Sequence, residues 1–276
     1  MTSIRVSLAG LPEAGKSTYI VALWAYLGAS PDDNSYKMTG YPGQLEYLKK
    51  LADAWFAGQP LDRNTLGAIK DIRISLESPI RTTVEVAVPD LPGEAFQQTV
   101  TSRRIDETIA SVVTECDLLF FFVNANDART FHPVAELPPS KDNTHNKAVP
   151  FDVAELDSDL LNADLLQQLR FVLRDRRLPA ISVLISAWDL CVPTKMSPSA
   201  WLCDAQPMFF QLLEELRRRT DVAVFGVSAQ GDDYLANPRV VESPPLKRVY
   251  LVNDNGVRTN DLTTPLAWYE GLEGRA

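Results

Sequence analysis

A glycine-rich loop near the amino terminus constrains most strongly what this chain can fold into. Residues 10–18 read GLPEAGKST and directly follow the apolar segment 4–9. The spacing G-x-x-x-x-G-K-S/T is that of a P-loop, which requires a strand before it and a helix after it. The apolar segment has the length of a strand, and residues 17–29 have the pattern of a helix. The sequence therefore predicts a strand, a phosphate-binding loop and a helix in that order.

The loop residues have separate predicted roles in binding a phosphate chain. The glycines let backbone N–H groups close around the phosphates, and Lys16 neutralises the β and γ oxygens. Ser17 places a hydroxyl on Mg²⁺, and the amino terminus of the helix adds its positive dipole. The predicted phosphate-binding residues are Gly10, Glu13, Ala14, Gly15, Lys16, Ser17 and Thr18.

Composition limits the class of partner. The chain has 276 residues, 45% of them hydrophobic, which is enough to bury a substantial core. Its 27 Lys and Arg against 36 Asp and Glu give a formal charge of -9. This acidic balance disfavours general binding to nucleic acid or to anionic lipid, so we expect protein partners.

The cysteines and the apolar runs predict a cytoplasmic location. Cys116, Cys191 and Cys203 form no C-x-x-C pair, so we expect reduced and mostly buried thiols. The amino terminus lacks the pattern of a signal peptide. No stretch approaches the roughly 18 apolar residues that a membrane span needs.

Strand-length apolar runs alternate with helical patterns along the chain. This alternation predicts a three-layer α/β fold, with a mostly parallel six-stranded sheet and helices on both faces. We expect one domain over residues 1–276, with insertions at about 30–70, 124–158 and 231–258. The predicted strands are 4–9, 71–77, 82–89, 117–123, 180–186 and 222–227. The predicted helices are 17–29, 43–57, 94–115, 159–175, 198–219 and 263–271.

The second and third insertions differ in their predicted structure. Residues 124–157 are rich in proline and contain both histidines, His132 and His145, at a spacing that no metal motif uses. We therefore interpret that segment as a long loop. In the third insertion, residues 248–252 precede the turn sequence NDNG, which predicts a hairpin at a sheet edge.

A second phosphate-proximal motif follows the third predicted strand. Residues 90–93 read DLPG, a D-x-x-G at the carboxyl end of an apolar run. In this position Asp90 is predicted to hold Mg²⁺ through water, and the Gly93 N–H to contact a γ-phosphate. An ordinary turn is the alternative for D-x-x-G alone, and the preceding P-loop favours the functional interpretation.

Two further motifs lie at strand ends, so that all four fall on the rim where open α/β sheets bind ligands. They are residues 186–189, SAWD, and residues 228–230, SAQ. In this order the four motifs resemble those of the Ras-like, translation-factor-related (TRAFAC) GTPases. The resemblance implies that Asp189 accepts hydrogen bonds from guanine N1 and N2. It also implies that the loop at Ser228 and Ala229 offers the Ala229 N–H to guanine O6.

The sequence departs from that pattern at several positions. Ser186 and Ala187 replace Asn or Thr and a Lys, and Gln230 replaces another Lys. Trp188 either packs near the base or fills the core. Glu94 stands where Ras-like enzymes have a water-orienting Gln, so slow unassisted hydrolysis is expected.

Two further pairs of residues are candidates for the γ-phosphate side of the site. The resemblance implies a threonine before the second predicted strand that covers Mg²⁺. Thr65, beside Arg63, is the candidate; the alternatives are Thr39 as a rival and a plain loop threonine at position 65. The implied metal ligands are then Ser17, Thr65 and Asp90, and the implied catalytic residues are Lys16, Glu94 and Thr65. Arg103 and Arg104 are either contributors in cis or exposed helix charges.

The layout resembles the bacterial double-GTPase group in particular. The shared features are the long segment before the second predicted strand, a Glu after D-x-x-G, and the carboxyl-terminal segment 263–268. The resemblance implies GTP and GDP as ligands with Mg²⁺, a partner that is a second GTPase, activator or effector, and a switch function in bacterial conflict or immunity systems.

Three other functions remain open at this stage. The chain could be a P-loop ATPase if Asp189 does not face the base. It could be a nucleotide-binding scaffold that barely hydrolyses, which Glu94 makes plausible. It could also be a small-molecule kinase, although the insertion 124–157 has too few arginines for a basic lid.

Overall fold

The computed structural model places a mixed sheet between two layers of helices. It describes residues 3–29, 35–40, 45–59, 61, 72–88, 93–127, 156–174, 176–191, 196–232, 237 and 242–274. The strands in these ranges are β1 Ser3–Gly10, β2 Lys37–Gly40, β3 Ile72–Glu77, β4 Thr83–Val88, β5 Leu118–Asn124, β6 Ala180–Ser186, β7 Val222–Ser228, β8 Tyr250–Asn253 and β9 Arg258–Thr259.

The helices in the same ranges begin directly after the P-loop and end near the carboxyl terminus. They are α1 Lys16–Ala29, α2 Leu45–Phe56, α3 Gly93–Ser102, α4 Glu107–Thr114, α5 Ser158–Val172, α6 Pro198–Ala205, α7 Pro207–Leu216, α8 Pro245–Arg248 and α9 Thr264–Glu273. Short 3₁₀ turns follow two strands, at Ala125–Asp127 and Trp188–Cys191. None of the described helices is both long and apolar enough to span a bilayer.

The strand order is β2-β3-β4-β1-β5-β6-β7-β8-β9. The five central strands, β4, β1, β5, β6 and β7, are parallel, whereas both edges of the sheet are antiparallel. The predicted α/β class with a mostly parallel centre is confirmed. The six predicted strands are present, and the described residues add β2 and the β8–β9 pair, which forms the predicted edge hairpin.

The middle of the sheet is buried on both faces, and its strands β5 and β6 are apolar along nearly their whole length. In β5, Phe120 and Phe122 pack into one core with α1, α2 and α9. The alternate residues Leu119, Phe121 and Val123 pack into the other core with α3 to α7. A strand that is covered on both sides reads as a continuous apolar run, as β5 and β6 do.

Two predicted single helices are each a pair of helices. The helix predicted over 94–115 breaks between α3 and α4, where Arg103 has φ of 55° and the Asp106 carboxylate accepts from the Thr108 N–H to start α4. The helix predicted over 198–219 breaks at Gln206, because Pro207 has no N–H with which to continue α6. In both cases the apolar periodicity continues across the break and conceals it.

The thiols differ from the prediction in their burial. Cys116 and Cys191 are half-buried, but Cys203 is exposed on α6, so the prediction of mostly buried thiols is wrong there. No disulfide joins them in the described structure. Among the other singled-out residues, Thr39 lies in β2. Both histidines, His132 and His145, lie outside the described residues.

Candidate nucleotide-binding site

The P-loop connects β1 to α1, and two glycines determine its shape. Gly10 has φ of +145°, and a Cβ there would lie 2.7 Å from the Phe122 carbonyl oxygen on β5. Gly15 has φ of +88°, and a Cβ there would lie 2.7 Å from the Ser186 Cβ at the end of β6. The loop therefore lies directly against the ends of its neighbouring strands, where only glycine fits both positions.

Lys16 places its charge within the loop. Its Nζ donates to the carbonyl oxygens of Gly10 at 2.6 Å and Leu11 at 2.7 Å. The same nitrogen lies 5.5 Å from the centre of the Phe96 ring on α3. Ser17 and Thr18, both half-buried, follow in the first turn of α1. A positive side chain and a helix amino terminus thus meet at one point, which is a general arrangement for binding an anion.

A cavity of about 310 Å³ lies beside this loop at the carboxyl ends of the parallel strands. The P-loop contributes Glu13, Gly15 and Thr18 to its lining. The far wall includes Asp189, which follows β6, and Ala229, which follows β7. Motifs that lie more than 170 residues apart in the sequence therefore line one cavity.

The segment after β6 turns sharply, so that the adjacent side chains of Trp188 and Asp189 point in different directions. Ala187 has φ of 53°, and its carbonyl oxygen accepts from the Leu190 N–H at 3.0 Å. Trp188 is buried in the core with its ring centre 6.2 Å from that of Trp201. Asp189, by contrast, lines the cavity. Of the two alternatives for Trp188, the structure thus places it in the core.

Gly226 on β7 makes room for this tryptophan. A Cβ on Gly226 would lie 2.4 Å from the Trp188 ring. The close approach of ring to backbone fixes the turn that carries Asp189.

The carboxylates give this end of the cavity a negative character. Asp189 and Asp232 both line it. Burial raises the pKa of the Cys191 thiol, and the nearby Asp189 charge raises it further. Burial and then the Asp189 charge raise the pKa of Tyr250 in the same way. A ligand group at this end should therefore carry hydrogen-bond donors.

The loop after β7 is held by contacts from two sides. The Ser228 hydroxyl accepts from the Gly231 N–H at 3.0 Å. The Ala229 carbonyl oxygen accepts from the Trp55 indole Nε1–H of α2 at 2.9 Å. Ala229 thus has a fixed carbonyl on one side and a place in the cavity wall on the other.

The family model for Double-GTPase 1 matches residues 7–269. The chain belongs to this family. Membership supports a GTP-binding GTPase, and the matched range includes the P-loop, Asp189 and Ala229.

Three solved GTPase structures are similar to this double-GTPase at low identity. Era from Aquifex aeolicus, bound to GDP and AlF4⁻, has 14% identity and a TM-score of 0.38, and the match covers 88% of this chain and 57% of that one. The G domain of the FeoB iron transporter from T. maritima has 11% identity and a TM-score of 0.33, covering 87% and 98%. The Arl6 BBS3 small GTPase from Trypanosoma brucei, with a bound nucleotide analogue, has 11% identity and a TM-score of 0.40, covering 87% and 96%. The double-GTPase thus spans little more than half the length of the Era structure. No curated protein matches the sequence.

Sequence reasoning missed one residue that supports the P-loop of the double-GTPase. The Asn124 side chain at the end of β5 donates to the Glu13 carbonyl oxygen at 3.0 Å. Its own amide oxygen accepts from the Asn126 N–H at 2.9 Å. The available signal was an asparagine that ends a wholly apolar strand on the same rim as the other motifs.

Several predicted residues of the γ-phosphate side lie outside the described residues. These are Asp90, Thr65 and Arg63, together with the side chain of Glu94. Gly93 is the first residue of α3. The structure therefore leaves their predicted roles as predictions.

The rival threonine and the two arginines lie elsewhere in the molecule. Thr39 in β2 is level with the amino-terminal half of β1. The register shows this, because the neighbouring Gly40 pairs with Ser75 on β3. Across β4, Ser75 is then in line with Arg5 on β1. Arg103 follows the last turn of α3 and forms an ion pair with Asp164 on α5. Arg104 is exposed beside it. None of these three described residues is among those that line the cavity beside the P-loop.

A larger cavity, about 560 Å³, opens at the amino ends of the parallel strands, on the opposite side of the sheet from the P-loop. Cys116, Arg177 and Tyr269 are among the residues that line it. It contains none of the four motifs, and the parallel strands begin there, whereas ligands in such sheets bind at the carboxyl ends. The smaller cavity is therefore the candidate site.

Proposed function

We propose that this double-GTPase is a guanine-nucleotide switch that binds Mg²⁺ and GTP and hydrolyses GTP slowly until a partner assists. The carrying observation is that the P-loop and the two segments after β6 and β7 line one cavity. The match to the Double-GTPase 1 family supports the same proposal.

Asp189 and Ala229 are proposed to read the base. An ionised carboxylate only accepts hydrogen bonds, and guanine offers N1–H and N2–H donors. Adenine lacks both of these donors, so it cannot make the two hydrogen bonds that guanine offers to the Asp189 carboxylate. Ser228 supports this loop through its bond to Gly231. Guanine specificity follows without the lysines that the sequence lacks at positions 187 and 230.

The phosphates are proposed to bind at the P-loop residues from Gly10 to Thr18. The Lys16 ammonium is already held within the loop by two carbonyl groups, so little reorganisation is needed when phosphate enters. Glu13 and Ala14 would contribute backbone N–H groups, and α1 its dipole.

The residues present suit Mg²⁺ rather than a metal held by protein alone. Among the described residues, no group of three or more His, Cys, Asp or Glu side chains could hold a metal. Mg²⁺ needs few protein ligands, because phosphate oxygens and water complete its shell. The Ser17 hydroxyl in the first turn of α1 suits this role, with Asp90 and Thr65 as the other proposed ligands. When bound, the ion neutralises charge on the β and γ phosphates.

Slow hydrolysis is proposed from Glu94, which would bring a negative charge near the γ-phosphate. Lys16, Glu94 and Thr65 are the proposed catalytic residues. The family further suggests a protein partner, in the form of a second GTPase, activator or effector, and cytoplasmic work in bacterial conflict signalling.

Nucleotide competition tests the proposal. A fluorescent GDP or GTP analogue is bound in Mg²⁺ and displaced by unlabelled GTP or ATP, with Lys16→Ala and Asp189→Asn as variants. We expect displacement by GTP but not ATP, loss of binding in Lys16→Ala, and a shift toward xanthine nucleotides in Asp189→Asn. Equal displacement by ATP would overturn the base assignment and indicate an ATPase.

Single-turnover hydrolysis separates a switch from a scaffold. Wild-type protein and Glu94→Gln are loaded with GTP, and product is followed over time. A faster rate in Glu94→Gln is expected. If neither protein forms GDP, the chain is a nucleotide-binding scaffold.

A further inference from the structure

The carboxyl-terminal end of α2 lies against the loop that follows β7. Trp55 in α2 is fully buried, and its indole Nε1–H donates to the Ala229 carbonyl oxygen at 2.9 Å. Since α2 lies in the segment between α1 and β3, this bond joins the region after the P-loop helix to the loop assigned to the base.

Arg248 holds Trp55 against this loop from the other side. The Arg248 side chain is buried, and its Nη2 donates to the Trp55 carbonyl oxygen at 2.9 Å. The guanidinium carbon lies 4.8 Å from the centre of a Trp55 ring. A Cβ on Gly231, two residues after Ala229, would lie 2.6 Å from the Arg248 Cβ, so backbone and arginine are in close contact. Trp55, Arg248 and the loop 228–231 therefore pack as one unit.

We propose that Trp55 is a positioning residue that orients Ala229 toward the guanine base, so that α2 sets how long a nucleotide stays bound. The inference rests on the proposed function, in which the Ala229 N–H donates to guanine O6. The Ala229 carbonyl belongs to the peptide group shared with Gln230, and the Ala229 N–H to the peptide group shared with Ser228. Holding that carbonyl anchors one side of Ala229. The bond from the Gly231 N–H to the Ser228 hydroxyl closes the same turn from the other side, so together the two bonds limit how the N–H can reorient. Movement of α2 would release that restriction and speed the departure of the nucleotide.

A purely structural role for Trp55 makes a different prediction. A buried tryptophan stabilises the core through its ring, and that contribution does not depend on the indole N–H or on which base is bound. The chain offers a matched control in Trp24 on α1, whose indole nitrogen is buried with no hydrogen-bond partner in the described structure. Comparing Trp55→Phe with Trp24→Phe thus isolates the bond to Ala229 from the loss of an indole ring.

The test measures release of GDP and of 6-thio-GDP after mixing with excess unlabelled nucleotide. The thio analogue keeps the N1 and N2 donors but replaces O6 by sulfur, a weak acceptor. We expect Trp55→Phe to release GDP about three- to ten-fold faster than wild type, the range of one neutral hydrogen bond. Release of 6-thio-GDP should change less than two-fold, and Trp24→Phe should leave both rates unchanged.

The outcomes distinguish the inference from the function beneath it. Equal acceleration of both nucleotides, or equal rates in Trp55→Phe and Trp24→Phe, would overturn the positioning role. Failure of wild-type protein to bind guanine nucleotide would overturn the proposed function itself. If Trp55→Phe unfolds, 3-benzothienylalanine at position 55 replaces the N–H by sulfur within the same ring shape, and the same rates decide the question.

Discussion

Single residues in the P-loop accept backbone conformations that side chains resist. Gly10 and Gly15 both have positive φ, and a Cβ added to either glycine would lie 2.7 Å from an atom of a neighbouring strand. Glu13 also has positive φ, at 60°, where a non-glycine residue is uncommon. The loop thus stores conformational strain that its contacts with β5 and β6 must offset.

Replacement of Gly10 by alanine should be costly. Its φ of +145° is nearly closed to alanine, and the new Cβ would meet the Phe122 carbonyl oxygen, which is backbone and cannot rotate away. We expect Gly10→Ala to lower the free energy of unfolding by about 2–4 kcal/mol, measured by urea denaturation.

The matched control for this substitution is Gly28→Ala in α1. A Cβ on Gly28 would meet no atom within 4 Å. Alanine there should raise the free energy of unfolding by about 0.5–1 kcal/mol, because it restricts the unfolded chain and favours helix. Losses of similar size in both variants would contradict the account of the loop given by its contacts.

At this scale the sequence predicted what lies in short motifs. Lys16, Asp189 and Ala229 are candidates from the sequence alone because each belongs to a pattern with fixed local spacing. Trp55 is not such a candidate, since its bond to Ala229 spans 174 positions. For Asn124 the one signal is its place at the end of an apolar strand, because its bond to Glu13 spans 111 positions. No local spacing encodes such contacts.

At the scale of elements, one helix supplies the amino-terminal cap of another. Gln206, the residue at the amino-terminal cap position of α7, makes no side-chain cap hydrogen bond. Its side-chain oxygen accepts from the Asn162 amide instead. Asp159 in the first turn of α5 fills the gap. Its carboxylate accepts from the Met208 N–H at 3.1 Å and the Phe209 N–H at 2.7 Å.

Removal of the Asp159 carboxylate should destabilise the core that contains α3 to α7. We expect Asp159→Ala to cost about 1–3 kcal/mol in the free energy of unfolding, because two N–H groups at the start of α7 lose a charged acceptor. Asp157→Ala is the control, since Asp157 precedes the same helix, α5, without a side-chain cap bond. Its cost should stay below about 0.5 kcal/mol. Equal costs would mean that charge near α5, rather than capping of α7, matters.

Apolar patterns in the sequence predict some of these elements and fail to predict the bounds of others. Strand and helix positions in the centre of the sheet follow from apolar runs, which is why β5, β6 and β7 agree with prediction within a residue or two. The break at Arg103 does not follow, because the apolar periodicity continues through it. The break at Gln206 is concealed by the same periodicity, although Pro207 is a signal for it. The edge strand β2 has only four residues, which is too short for a distinct pattern.

For the whole molecule, the two cores share one sheet. The residues of β5 point alternately into the core with α1, α2 and α9 and into the core with α3 to α7. Loss of either helical layer would expose one face of the same apolar strands, so the layers stabilise each other. The nucleotide cavity lies at the rim where both layers meet the sheet, so a bound ligand should stabilise both.

Unfolding should therefore be a single transition that nucleotide shifts as a whole. We expect far-UV circular dichroism and tryptophan fluorescence to give the same melting temperature, since tryptophans lie on both faces, Trp55 on one and Trp201 on the other. GDP with Mg²⁺ at about 100 times its Kd adds about 2.7 kcal/mol, which corresponds to roughly 5–10 °C. Both probes should shift together, and Lys16→Ala should shift neither. Separate midpoints for the two probes would show instead that one layer unfolds without the other, and that the sheet does not couple the two cores.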